Sequence, residues 1–290
     1  MSLLAPSATL PAQIPGESLP SAAYGEMLRA NLRADFAFFR RSRLLLAFGL
    51  VFLLLIALIM MPTFFSNSGV GRFNVLREIF DTMTFFVHVL SGGLGLLVVS
   101  SHLRNRSLKM VFTKPCPPGL WLASAFLSSA LVSLALTAGV LLASIGFSLW
   151  WHLPVRLGLL YLSLHSFVTS LIVIAYMLLL GTLMHPAVAV TLIIIFNDRT
   201  FFSAQEWAQT VIRAGNSHLG IRVLEKIFHV VYVTLPIYVP FDDKTQVVAT
   251  SYRAGPAAWK YLLYASGYAL LFWAFCYFAA LLALKKRRHI

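Results

Sequence analysis

Residues 121–150 read WLASAFLSSALVSLALTAGVLLASIGFSLW, a run without a single charged side chain. Because an α-helix rises about 1.5 Å per residue, this run is long enough to cross a hydrocarbon core about 30 Å thick. Ala125, Ser129, Ser133 and Thr137 recur at every fourth position, along one side of the helix. Small residues let helix backbones approach closely in lipid, so this side predicts a packing seam. The lining of a transport path is the alternative interpretation.

The whole chain has the composition of an integral membrane protein. Of its 290 residues 59% are apolar and 11% are charged, whereas a soluble domain carries about 25% charged residues. The two cysteines, Cys116 and Cys276, lack the paired spacing of a metal site and do not indicate a disulfide framework. No basic soluble domain with interleaved aromatic residues is present, so we do not expect nucleic-acid binding despite the net charge of +13.

Apolar runs on both sides of this stretch predict an all-α protein with six membrane-spanning helices. The predicted spans cover residues 44–62, 83–100, 121–150, 157–180, 181–197 and 259–284. The fifth run is the shortest of the set. It reaches across the membrane only if it begins near Gly181, after a tight turn that extends to Pro186.

The segments outside the spans differ in pattern. Residues 1–22 are rich in Pro, Ser and Ala and predict a disordered tail, not a signal peptide. In residues 23–43, apolar residues recur at helical spacing on one side of the helix and arginines lie on the other side. This pattern predicts an interfacial amphipathic helix in the headgroup plane. A surface helix of a soluble domain is the alternative. Outside the membrane we expect short amphipathic helices in the loops, at residues 73–80, 207–213 and 221–232, with the later pair partly re-entrant.

The distribution of lysine and arginine predicts the orientation. Thirteen of the 23 basic residues fall in residues 1–43, 104–118 and 285–288, beside only three acidic residues. Short loops rich in Lys and Arg stay on the cytoplasmic side. We therefore predict that both termini are cytoplasmic.

The segment between spans two and three, residues 104–118, reads RNRSLKMVFTKPCPP. A helix here would end before Pro115, which cannot donate a backbone hydrogen bond and restricts the residue before it. Apolar residues at i, i+3 and i+4 would share one face of that helix. The sequence therefore predicts a basic amphipathic helix at the cytoplasmic surface. Its apolar residues are Leu108, Val111 and Phe112, and its cationic residues are Arg104, Arg106, Lys109 and Lys114.

Motifs that would make the chain an enzyme are missing from the sequence. It contains no G-x-x-x-x-G-K-[ST] phosphate loop, no H-E-x-x-H, no C-x-x-C and no G-x-S-x-G. The central parts of the predicted spans contain no Asp, Glu, Lys or Arg, whereas ion-coupled transporters usually need an intramembrane carboxylate. We expect a non-enzymatic chain without a bound cofactor or metal. Two alternatives stay open, a membrane enzyme that uses His88, His102 or His165, and a non-transporting scaffold or assembly factor.

Polar side chains inside the spans are the remaining candidates for a site. His88 lies in span two and His165 in span four. The simpler interpretation is a histidine bonded to a hydroxyl or carbonyl on a neighbouring helix, and the other is a contact with substrate. We predict a polar seam or path that includes His88, Ser129, Ser133, His165 and Thr169.

This layout resembles the permease subunit of ABC-2 type ABC exporters. The likeness covers about residues 24–288 and is carried by the helix before the first span, six spans with both termini inside, and short motifs. Those motifs are Arg106-Ser107-Leu108 through Lys114-Pro115 after span two, Thr234-Leu235-Pro236 before the last span, and the basic end Lys285 to Arg288.

The resemblance implies how such a chain would work. Residues 104–118 would be similar to the family's coupling helix, which docks on a separate ATP-binding subunit that holds ATP and magnesium. Two permease copies, identical or related, would pair around a central path in a bacterial inner membrane. Membrane lipids would be the other partners of the chain.

Overall fold

The computed structural model describes residues 21–41, 50, 54, 57, 69–104, 117–195, 198–214, 219–234 and 253–288. These residues contain helices and no strand, which confirms the all-α prediction. Eight helices are described: α1 (Ser21–Arg41), α2 (Gly69–Arg104), α3 (Pro118–Trp150), α4 (Leu157–Leu183), α5 (Pro186–Ile195), α6 (Asp198–Arg213), α7 (Leu219–Thr234) and α8 (Pro256–Arg288).

Four of these helices are long and apolar enough to cross a membrane: Val75–Ser101 in α2, Pro118–Trp150, Leu157–Leu183, and Pro256–Lys286 in α8. They correspond to the predicted spans two, three, four and six. The first predicted span lies outside the described residues except for Leu50, Leu54 and Ala57, which are helical and exposed. The chain is a multi-pass helical membrane protein.

Helix α2 is longer than the second predicted span, because residues 69–82 continue into it instead of forming a loop with a separate short helix. Leu76, Ile79 and Met83 are at most 2% exposed and follow helical spacing, so the buried face is continuous. Arg77 and Glu78 interrupt the apolar run in the sequence, yet their side chains point outward and remain 49% and 60% exposed.

The break between α4 and α5 lies later than the sequence suggested. Gly181 belongs to α4, which ends at Leu183, and α5 starts at Pro186. Proline suits the first turn of a helix and disfavours helical geometry in the residue before it, which explains the break at His185. Helix α5 has 10 described residues, so it covers only about half of a hydrocarbon core by itself.

Helices α2, α4 and α8 run parallel to one another. Contacts between α2 and α4 progress from His88–Ser166 to Leu96–Gly181, and those between α4 and α8 progress from Tyr161–Trp259 to Tyr176–Phe272. Helix α3 runs the opposite way. It pairs Gly119 with Tyr277, Phe126 with Trp273 and Ser133 with Ser170.

The bundle therefore has two distinct ends. At the Trp150 end α3 finishes and α2, α4 and α8 begin, whereas at the Pro118 end α3 begins and the other three finish. Since α4 ends at the Pro118 end and α8 begins at the Trp150 end, residues 184–255 lead from one end to the other. Helix α5 is the first element of this connection. Its Ala189 is fully buried and packs in a cluster with Leu96 and Met177.

Helix α1 packs on the bundle near its Pro118 end. Phe39 is 1% exposed and belongs to the core cluster that includes Trp121 and Leu284. Asp35 is 5% exposed, and the Ser128 hydroxyl on α3 donates to its Oδ2 at 3.1 Å. The buried side of α1 thus includes an acidic residue, whereas the apolar Phe36 is 40% exposed.

Helices α6 and α7 form a hairpin, and both amphipathic helices predicted here are present as helices with longer bounds. Gln205 bonds to His229 at 3.2 Å, and Gln209 donates to Glu225 at 3.3 Å. The face of α7 away from α6 exposes apolar side chains: Leu219, Val223, Ile227 and Val230.

Candidate functional site

One side of α3 supplies the hydroxyl groups of the predicted seam. Ala125, Ser129, Ser133 and Thr137, the residues with four-residue spacing, are all buried, as a packing face requires. Further hydroxyl residues of α3 are also buried, namely Ser124, Ser128, Ser144 and Ser148. The small side chains of α3 therefore bring its backbone close to α2 and α4.

Glycines complete the close contact on α2 and α4. A Cβ atom on Gly92 would lie 2.9 Å from Val173 Cγ1, and one on Gly95 would lie 3.1 Å from Ser129 Oγ. On α4, a Cβ atom on Gly181 would meet Leu96 Cδ1 at 2.8 Å. These glycines serve helix packing, a role that the sequence pattern alone did not assign to them. The signal was the Ser-Gly-Gly-Leu-Gly run from Ser91 to Gly95.

His88 joins α2 to α4. Its Nε2 lies 3.0 Å from the backbone oxygen of Ser166 and 3.4 Å from the Ser166 hydroxyl. A carbonyl oxygen only accepts, so Nε2 carries the hydrogen in this contact. This geometry matches the simpler interpretation of the histidine, a polar tie between neighbouring helices.

Replacing His88 by leucine should lower the melting temperature by about 2–4 °C, because one interhelical hydrogen bond contributes about 1 kcal/mol. Glutamine at this position can present an amide N–H to the same carbonyl, so His88→Gln should retain most of the stability. Thermal unfolding in detergent measures both variants. Equal losses for leucine and glutamine would show that the bond to Ser166 contributes nothing.

The predicted seam residues divide into two groups. Ser133 and Ser170 bond to each other through their hydroxyls and connect α3 to α4. Ser129 donates to Ala125 O at 2.9 Å and Thr169 donates to His165 O at 3.0 Å, both within their own helices. His88, Ser129 and Ser133 therefore face the junction of α2, α3 and α4.

His165 belongs to the other group, on the side of α4 that faces α8. It is 2% exposed, and its ring centroid lies 6.0 Å from that of Tyr161. Tyr161 in turn contacts the edge of Trp259 on α8 at a centroid distance of 5.7 Å. The structure thus does not bring the two histidines together at one site.

The buried hydroxyls that the sequence did not single out include Thr84, Ser144 and Ser148. Thr84 was not singled out because it is only the second residue of the predicted second span, near the expected membrane surface. The Asp35–Ser128 contact was missed as well, since its partners are 93 positions apart. Within the described ranges no three His, Cys, Asp or Glu residues are grouped so that they could hold a metal ion.

The predicted coupling segment is known only at its edges. Arg104 is the last residue of α2, and Arg106, Leu108, Lys109, Val111, Phe112 and Lys114 lie outside the described residues. Arg104 and Pro117, the described residues on either side of it, both lie at the Pro118 end of the bundle.

The fold and these contacts define a class of protein, a polytopic helical membrane protein with a buried polar junction among three of its helices. No protein-family model, curated protein sequence or solved structure matches this chain. Function therefore has to be argued from the arrangement of the helices and from the residues at the two ends.

Proposed function

We propose that this chain is the membrane-spanning permease subunit of an ATP-driven transporter of the ABC-2 type. One observation carries the proposal: the basic segments meet at a single end of the bundle. Arg40 and Arg41 at the end of α1, Arg104 at the end of α2, and the exposed Lys285 and Lys286 of α8 all lie at the Pro118 end. The predicted basic segment connects Arg104 to Pro117, which lies at the same end. By the positive-inside rule this end faces the cytoplasm, where an ATPase would dock.

The helix directions support six crossings. Helices α2, α3, α4 and α8 are the four candidate spans. Because α4 and α8 are parallel, residues 184–255 must return to the Trp150 end, and α5 would form part of the fifth crossing. Residues 44–62 would provide the remaining one. With six crossings of a bacterial inner membrane, both termini would lie in the cytoplasm and the end of the α6–α7 hairpin would lie outside.

The energy for transport would come from a separate subunit. The sequence has no phosphate loop, so ATP and magnesium would bind to a partner ATPase, which makes this chain a non-enzymatic component. Leu108, Val111 and Phe112 would dock on that subunit, and the cations beside them would hold the anionic inner leaflet. A second permease copy would complete an export path for the substrate.

Capture of the ATPase tests this function. The bait is the full chain in detergent, and the prey is an ATPase with Walker A and Walker B motifs encoded next to it. We expect Leu108→Asp combined with Phe112→Asp to abolish capture, because two carboxylates would be desolvated in an apolar contact.

A matched pair, Arg106→Gln combined with Lys109→Gln, removes two charges from the same segment. It should leave most of the binding intact, because the apolar face makes the proposed contact. Undiminished capture by the aspartate variant would contradict the docking role. Absence of capture by the wild-type chain would favour a scaffold without an ATPase partner.

A further inference from the structure

One serine or threonine hydroxyl on α2 and one on α4 are buried and have no hydrogen-bond partner among the residues that the structure describes. They are Oγ1 of Thr84, a residue 2% exposed, and Oγ of Ser163, a residue 3% exposed. Other buried hydroxyls nearby are bonded. Ser91 donates to Val87 O, and Thr137 donates to Ser133 O at 2.8 Å. Threonine and serine in a helix usually satisfy themselves in this way when nothing else binds them.

The register of the two helices places these hydroxyls at the same level. His88 bonds to Ser166 across the contact, Thr84 lies one turn before His88, and Ser163 lies one turn before Ser166. Because α2 and α4 run parallel, both steps lead toward the Trp150 end. Thr84 and Ser163 therefore lie at the same depth in the bundle, on adjacent helices, one turn from the hydrogen bond between His88 and Ser166.

The surroundings limit what could bind between them. Met83, Val87, Leu159 and Leu162 form the packed cluster at this level, and each is at most 4% exposed. Dense packing of this kind favours a ligand as small as water over a larger one. A cation would need a carboxylate to offset its desolvation, and the described residues contain no group of three His, Cys, Asp or Glu that could hold a metal ion.

We propose that Thr84 and Ser163 bind a buried water molecule that bridges α2 and α4. Each hydroxyl can donate one hydrogen bond and accept two, so a single water can satisfy both groups. Buried waters typically bond otherwise unpaired polar groups, and removing them is costly. The site does not depend on the proposed transport function. It divides the α2–α4 contact into a hydrated part near the Trp150 end and a part packed through glycine beyond His88.

The sign of a melting-temperature shift tests the site. Thr84→Val keeps the shape of the side chain and removes only the hydroxyl. With water bound, it should lower the melting temperature of the full chain by about 2–4 °C. Ser163→Ala should do the same alone but add little in the Thr84→Val background, because the water is already lost. If Thr84→Val raises the melting temperature, the hydroxyl binds nothing and the proposal is overturned.

Radiolytic labelling provides an independent measurement, since bound water produces hydroxyl radicals in place. Met83, 2% exposed, should be oxidised more than Met177, which is 7% exposed and lies beyond the site. The combined Thr84→Val and Ser163→Ala variant should lose the excess labelling. Thr137→Val, whose hydroxyl bonds within its own helix, should retain it. Labelling of Met83 that does not exceed that of Met177 in the wild-type chain would overturn the site.

Discussion

Leucine in place of Gly92 should destabilise the protein by about 3 kcal/mol, the upper part of the range for overpacked cores. A Cβ atom at this position would lie 2.9 Å from Val173 Cγ1 and 3.1 Å from Met177 Cγ. Valine has little rotameric freedom in a helix, so it cannot turn aside cheaply. The added side chain would push α2 and α4 apart.

The neighbouring glycine provides a control for this prediction. A Cβ atom on Gly93 would have no atom of another described helix within 4 Å. The first atom of a leucine side chain therefore has space there, and leucine gains about 0.8 kcal/mol of helix propensity. Gly93→Leu should therefore be neutral or slightly stabilising in thermal unfolding, in contrast to Gly92→Leu. Similar losses at both positions would mean that general helix effects, and not the α2–α4 contact, determine the result.

The seam on α3 was predictable because the signal is local. Ala125, Ser129, Ser133 and Thr137 are spaced at one helical repeat, and a membrane helix that buries small residues must bury that side. The identity of the partners was not predictable, since Ser133 bonds to Ser170 and His88 bonds to Ser166 across loops of the chain. The two histidines illustrate this limit of sequence-based prediction. Their sequence settings are similar, yet His88 contacts α4 from α2, whereas His165 lies on the side of α4 that faces α8.

Helix α2 shows why apolar runs underestimate the length of a span helix. Arg77 and Glu78 end the apolar run in the sequence, so residues 69–82 read as a loop with a short helix. In the fold, these charges occupy the exposed side while Leu76 and Ile79 remain in the core. Periodicity across the charged positions was the usable signal. Gly181 shows the opposite error. Its sequence suggests a turn, but it lies inside α4 and allows close contact with Leu96 on α2.

The two ends of the bundle differ in a way that bears on the proposed function. Beyond His88, toward the Pro118 end, the α2–α4 contact relies on Gly95 and Gly181, with little space to spare. Toward the Trp150 end it includes Thr84 and Ser163. The proposed water would hold this part of the contact through hydrogen bonds, whereas interlocked side chains hold the other part. Under the proposed function, movement at the Pro118 end would reach the Trp150 end through the closely packed part of this contact.

Alanine in place of Asp35 should release α1 from the bundle. Asp35 is 5% exposed and accepts a hydrogen bond from Ser128, which is fully buried. Hydrogen bonds to charged groups contribute about 1.5–3 kcal/mol, so we expect a loss of this size. In Asp35→Ala, the Ser128 hydroxyl can keep its contact with Ala125 O at 3.1 Å. In Ser128→Ala, the Asp35 carboxylate loses the hydrogen bond that the Ser128 hydroxyl donates.

A double-mutant cycle isolates this contact. Asp35→Ala and Ser128→Ala should each destabilise the chain, and the combined variant should lose less than their sum, because the second change removes a bond that is already broken. Asp35→Asn retains an acceptor oxygen and should lose less than Asp35→Ala. Proteolysis of α1 gives a local measurement beside thermal unfolding, since a released helix is cut faster at Arg29 and Arg33. Additive losses together with an unchanged rate of cleavage would mean that Phe39 and the other apolar contacts hold α1 in place without Asp35.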